Sequence, residues 1–180
     1  MDLKDLIIPY SNYKGNWDAF IERLYATFEQ DFIRSMPRFK CDDVDFYDKR
    51  KIETNKEECF WHLTSRDYPI RVNGIIRKER KPDIIRAERI AWIKEIIENN
   101  NDSSVEMWRN LDFPKGARYH LWYRKEFLVV LEDIKFGYYH LITSFYTKTK
   151  NEIEKYNLEI GKWGLTKKDA ASATSQSSML

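Results

Sequence analysis

With 180 residues, 42% of them hydrophobic and 15% aromatic, the chain has the material for one domain with a real core and is short for two. A formal charge of +2 forces no particular partner, and two cysteines with three histidines at isolated spacings exclude a disulfide framework and make a metal cage of Cys and His a poor expectation. No basic stretch followed by an apolar core opens the chain, and no apolar run approaches the roughly 20 residues that span a bilayer, so the expectation is a cytoplasmic protein with no membrane partner.

Residues 1–15 carry Pro9, Ser11, Asn12 and Gly15 and read as an extended lead-in. Asn16 then suits an N-cap, and Trp17, Phe20, Ile21, Leu24, Tyr25, Phe28 and Phe32 recur at helical spacing until Pro37. Residues 38–58 are polar and acidic, with a short strand expected at Val44–Tyr47. The aromatic run from Cys59 to Thr64 predicts another strand. Residues 66–81, with Pro69, Asn73 and Gly74, predict an irregular basic loop. Pro82 suits the first turn of a helix through Ile85, Arg89, Trp92, Ile93, Ile96 and Ile97. Ser103 is placed to cap a short helix through Val105, Met107 and Trp108.

The period then changes. Arg118–Arg124 alternates, Phe127–Ile134 is rich in β-formers, and Tyr138–Thr147 completes an expected antiparallel meander. A polar helix is expected at 148–158 and a disordered tail at 166–180, leaving a single domain over 1–165. Helices first and strands afterwards predict an α+β fold, with N-terminal helices packed on one face of a C-terminal antiparallel sheet of three to five strands. The other face of that sheet is expected to be free to form a cleft.

Charge is unevenly spread. Cys41–Glu58 holds seven acidic against four basic residues, whereas Arg66–Lys94 holds nine Lys/Arg against four Asp/Glu, and Lys115–Lys125 has four cations and no anion. A basic surface of this kind draws phosphates. Cleaving RNA without a metal needs a base for the 2′-hydroxyl, an acid for the leaving 5′-oxygen, and donors for the charged phosphorane. Histidine serves either proton task near neutral pH, and Lys and Arg serve the electrostatic one. His62, beside Thr64, Ser65 and Arg66, is the first candidate acid or base, with Arg66 a candidate phosphate clamp. Lys115 and Arg118 flank Gly116 at a turn into a strand and form a candidate phosphate site. His120 and Trp122 share a strand face with Arg118. If that face is the cleft, Trp122 stacks a base and His120 is a second proton-transfer group; if helices cover it, both are core. Alternation leaves open whether Thr143 or Ser144 and Tyr146 face the cleft.

Helices followed by a sheet, His62 before it, the Lys115-Gly116-Ala117-Arg118 step and a last strand ending Thr143-Ser144-Phe145-Tyr146 resemble the barnase–EndoU–colicin–RelE (BECR) nuclease superfamily, nearest its phage- and mobile-element-associated branches. The resemblance covers roughly residues 55–150. It implies a toxin- or effector-like, metal-independent endoribonuclease that leaves a 2′,3′-cyclic phosphate and needs no cofactor, with RNA as substrate and a cognate inhibitor or host protein as partner. It puts the functional hydroxyl at Thr143, and Tyr146 is carried as a second positioning group. A non-catalytic nucleic-acid-binding or host-protein-binding accessory protein of a phage or plasmid is the alternative.

Overall fold

The Asn16 side chain accepts a hydrogen bond from the Ala19 N–H at 3.1 Å and starts helix α1, Trp17–Phe28, in the computed structural model, which describes residues 1–112, 116–134 and 138–164. The apolar stripe turns Phe20, Ile21, Leu24 and Phe28 inward and runs on through a π-helical segment, Glu29–Arg34, that buries Phe32. Strands β1, Arg38–Phe39, and β2, Asp42–Phe46, form a small hairpin, with Lys40 and Cys41 at positive φ in its turn.

The run Cys59–Thr64, expected as a strand, lies in helix α2, Glu58–Thr64. Its buried residues Cys59, Phe60, Leu63 and Thr64 follow helical spacing, and the Thr64 hydroxyl donates to the Phe60 carbonyl at 3.0 Å. Aromatic content favours strands only where a sheet surface receives it, and here the helical face meets the core. The stretch expected as an irregular loop is a regular β-hairpin of β3, Ser65–Val72, and β4, Ile75–Pro82, turning at Asn73-Gly74 with φ of 51° and 79°. That dipeptide supplies the two left-handed residues a tight hairpin turn needs. Pro82 therefore ends a strand, and Asp83 caps a short helix α3, Ile84–Ala87, by accepting from the Arg86 N–H. A turn separates it from α4, Trp92–Glu98, so the single expected helix is two.

Residues expected as a short helix form β5, Val105–Asn110. Val105 and Met107 join one apolar layer and Trp108 another, so a strand buried on both faces has apolar residues close together in sequence. The meander follows as expected: β6, Arg118–Tyr123, β7, Phe127–Asp133, and β8, Tyr139–Tyr146. Gly116, just before β6, has φ +155°, and a Cβ there would sit 2.3 Å from the Asp133 carbonyl oxygen. The chain's last described helix is α5, Lys150–Trp163, opened by a reciprocal capping box of Thr149 and Glu152.

The main sheet has six strands in the order β1-β2-β8-β7-β6-β5. It is larger than expected and mixed rather than antiparallel, because the early β2 lies parallel to β8. The helices of the N-terminal half pack Phe20, Leu24, Phe28, Phe60, Ile93 and Ile96 into one layer with Leu121, Val129, Leu131 and Leu141 of the sheet. The second face is not left open as expected. Tyr156 of α5, with Ile153, Ile160 and Trp163, covers Trp108, Trp122, Leu128 and Val130 there. The helix expected as polar still carries that apolar stripe, which closes one part of the second face. Residues 166–180, expected as a tail, lie outside the described residues.

Candidate functional site

Strand register assembles a polar row on the second face. Asn110 of β5 pairs with Arg118 of β6, Arg118 with Glu132 of β7, Glu132 with His140 of β8, and His140 with Asp45 of β2. Cross-strand partners share a face and lie about 5 Å apart at Cα, so Glu132 is flanked at arm's length by a guanidinium and an imidazole. Arg118 donates from Nε at 3.3 Å and from Nη2 at 3.2 Å to Glu132 Oε1. Only 5% of the Glu132 side chain is exposed, while Arg118 and His140 are half-buried. His140 Nδ1 is shut off from solvent and has no hydrogen-bond partner among the described residues; the ring meets Tyr47 edge-on at 6.4 Å.

Tyr47 also forms a wall of a pocket of about 290 Å³, lined by Asp48, Glu58, Cys59, His62, Leu141 and Ile142. His62 is exposed at this pocket and does not lie under the helices. Loss of water at the pocket wall pushes the His62 pKa down, and the positive charges of Arg86 and Arg80 push it further the same way, ahead of the opposing Glu58 and Asp67. Both effects favour the neutral imidazole. Burial raises the Cys59 thiol to about 12, so it is held as an unreactive thiol.

The next row inward is apolar and includes His120. It pairs with Trp108 and Val130, and Val130 pairs with Thr143. His120 stacks flat on the Trp108 ring, with centroids 4.7 Å apart and planes 6° apart. Burial drives its pKa down to about 4, with a backbone hydrogen bond at Arg118 acting in the other direction. Of the two readings open for this strand face, core is the one realised at these positions. Trp122 is fully buried beneath α5 and donates its indole N–H to the Thr147 hydroxyl at 3.2 Å.

The other expected site residues take separate places. Arg66 forms an ion pair with buried Asp83 at 3.2 Å, and Lys148 lies 3.9 Å from the same carboxylate. Thr143 Oγ1 accepts from Arg86 Nη2 at 2.8 Å, and Arg86 Nη1 reaches the Ser65 carbonyl at 2.8 Å. The threonine hydroxyl thus fastens the start of β3 to β8. Tyr146 pairs with Phe127 in the helix-covered layer and carries Arg89 over its ring at 5.3 Å. Five residue steps along β7 separate its row from that of Glu132, about 17 Å along the strand. Lys115 lies outside the described residues.

Of the expected residues that are described, Arg118 alone is in the row, with His62 across the adjoining pocket. Glu132 and His140 were missed, since neither stands in a local motif. A register count would have found them: the hairpin centred on Lys125 pairs Arg118 with Glu132 once its turn is placed. Among the described residues no group of three or more His, Cys, Asp or Glu is placed to hold a metal ion, and no helix is long and apolar enough to cross a membrane. In comparisons with known proteins, no family model matches this chain, and no significant match was found among curated proteins or solved structures.

Proposed function

We propose that the chain is an endoribonuclease that cuts RNA without a metal at the Arg118–Glu132–His140 row. The observation that carries this is the register itself, which sets a carboxylate between a guanidinium and an imidazole on three adjacent strands. Glu132 takes the proton of the 2′-hydroxyl, whose oxygen attacks the adjacent phosphorus. Arg118 donates hydrogen bonds to the phosphorane oxygens as negative charge builds. His140 gives a proton to the departing 5′-oxygen as the P–O5′ bond breaks. The products are a 2′,3′-cyclic phosphate and a free 5′-hydroxyl. The pocket between Tyr47 and His62 has room for a base next to the reacting phosphate. The BECR resemblance agrees with this chemistry, while the acid-or-base role expected of His62 passes to His140 as acid and Glu132 as base.

The test is cleavage of a mixed-sequence RNA in excess EDTA, with the new ends identified chemically. Wild type is expected to leave cyclic phosphate ends. Glu132→Gln and His140→Ala are each expected to slow cleavage by about 10²-fold or more, the usual contribution of a positioned proton-transfer group. Equal cutting by wild type and both variants would remove the row from the mechanism. The low exposure of Glu132 favours one second reading, in which the Arg118–Glu132 pair only braces the sheet and the chain binds nucleic acid without cutting it. RNA bound but left intact by wild type selects that reading.

A further inference from the structure

Among the described residues, the β3–β4 hairpin is anchored at its root. Arg80 grips Glu58 of α2 with two hydrogen bonds of 2.8 and 2.6 Å, Arg66 pairs with Asp83, and Arg86 holds the Ser65 carbonyl. Beyond the root every residue of β4 is exposed, and the eight register pairs extend about 27 Å. A two-stranded ribbon without a covering layer is marginal by itself, so its persistence in the fold asks for a partner.

Six cations and two anions occupy the ribbon. Asp67 is spent on Arg80 and Glu79 on Lys81, and Arg66 goes to Asp83. Arg71, Arg77 and Lys78 pair with no carboxylate among the described residues. The register puts Arg71 and Lys78 on one face as diagonal neighbours, and puts Arg77 on the other with exposed Tyr68 and half-buried Ile70. Cations on both faces with an accessible aromatic ring match a phosphate backbone whose bases stack in passing. Strand addition by a second copy is disfavoured, because Pro69 interrupts one edge and charged residues crowd the other.

We propose that this arm is a clamp for single-stranded RNA, holding the backbone of the strand whose reactive phosphate lies at the Arg118–Glu132–His140 row. Its choice of RNA rests on the cleavage reading above. The root places the clamp beside that row: Arg86 ties Ser65 of the arm to Thr143, three residues along β8 from His140. Arg71, Arg77 and Lys78 then act as three phosphate contacts outside the reacting centre.

The experiment measures binding of a single-stranded RNA of about 20 nucleotides to full-length His140→Ala protein across a salt series. The triple change Arg71→Gln, Arg77→Gln, Lys78→Gln is expected to flatten the log–log salt slope by about 2 and to weaken binding about 100-fold near 0.1 M salt, from roughly 0.7 counterion per contact. The charge-keeping pair Arg71→Lys, Arg77→Lys is expected to retain the slope. An unchanged slope in the triple variant overturns the clamp, as does equal loss in the lysine pair. Tighter binding to duplex DNA than to single-stranded RNA, or a change in oligomeric state with RNA binding intact, assigns the arm to another partner and also overturns it. Arm-dependent RNA binding by a wild type that never cuts would sink the cleavage reading alone. Cutting by wild type with arm-independent binding would sink the clamp alone.

Discussion

Replacing His120 should flatten the acid side of the stability curve. The ring is 7% exposed, stacked on Trp108, and has its pKa lowered to about 4 from an ordinary 6.5, chiefly by burial. A histidine lowered in this way binds a proton more readily in the unfolded chain than in the fold. Its stabilising contribution is complete above about pH 6.5 and is lost as the pH falls toward 4. At about 1.36 kcal/mol per unit over a gap of roughly 2.5 units, with titration half complete at the lower end, the loss between about pH 7 and 4 is about 3 kcal/mol. His120→Phe keeps a flat ring against Trp108, and His120→Gln is a second non-titrating variant. Urea unfolding at a series of pH values should show wild type losing about 3 kcal/mol more than either variant over that range. His62, whose pKa is also lowered, is common to all three proteins and drops out of the difference. Parallel curves for wild type and both variants would refute the argument that an uncharged, buried imidazole carries this acid sensitivity.

Two further predictions concern the joints of the fold. Arg86, 5% exposed, donates to the Ser65 carbonyl and the Thr143 hydroxyl and feels the nearby charge of Asp83; Arg86→Ala should cost about 3 kcal/mol, since two acceptors lose a charged donor and a buried carboxylate loses a neighbouring positive charge. Urea titration reads the loss, and faster amide exchange at the root of the β3–β4 arm shows where it acts. Thr149→Ala should remove the capping box that opens α5 and cost about 1 kcal/mol, seen in the same titration, with exchange rising in the first turn of α5.

The sequence made some elements plain and hid others, for physical reasons that differ element by element. The stripe from Trp17 to Phe32 was legible because one helix face meets one apolar layer, so its period survives in the residue order. The meander was legible because alternation along Arg118–Tyr123 divides two layers, Tyr119 and Leu121 in one and Trp122 in the other. The strand β5 was not, since a strand buried on both faces loses its alternation. The run at Cys59 misled because aromatic density is a statement about burial before it is one about strand or helix. The parallel pairing of β2 with β8 joins residues nearly a hundred positions apart, and no local pattern records it. Site residues divide in the same way. Arg118 follows a recognisable turn, whereas Glu132 and His140 acquire meaning only from their partners across the sheet.

Along β8 that dependence on register is sharpest. Strict alternation groups Tyr139, Leu141, Thr143 and Phe145 on one face and His140, Ile142, Ser144 and Tyr146 on the other, and both groups mix polar with aromatic side chains. The structure resolves the mixture with an irregularity between Val130 and Leu131: Val130 pairs with Thr143 and Leu131 with Leu141, which leaves Ile142 as an extra residue. The bulge exchanges the two faces partway along the strand. Before it, Tyr139 and Leu141 point into the layer of the N-terminal helices; after it, Ser144 and Tyr146 do. His140 and Phe145, on opposite faces by simple alternation, thereby share the second face, with Phe145 packed under α5 and His140 beside Glu132 past the helix. Without the extra residue, the register that packs Phe145 under α5 would turn His140 into the helix-covered core and leave Glu132 facing Arg118 alone. One unpaired isoleucine thus lets a single strand finish the core at one end and complete the polar row at the other.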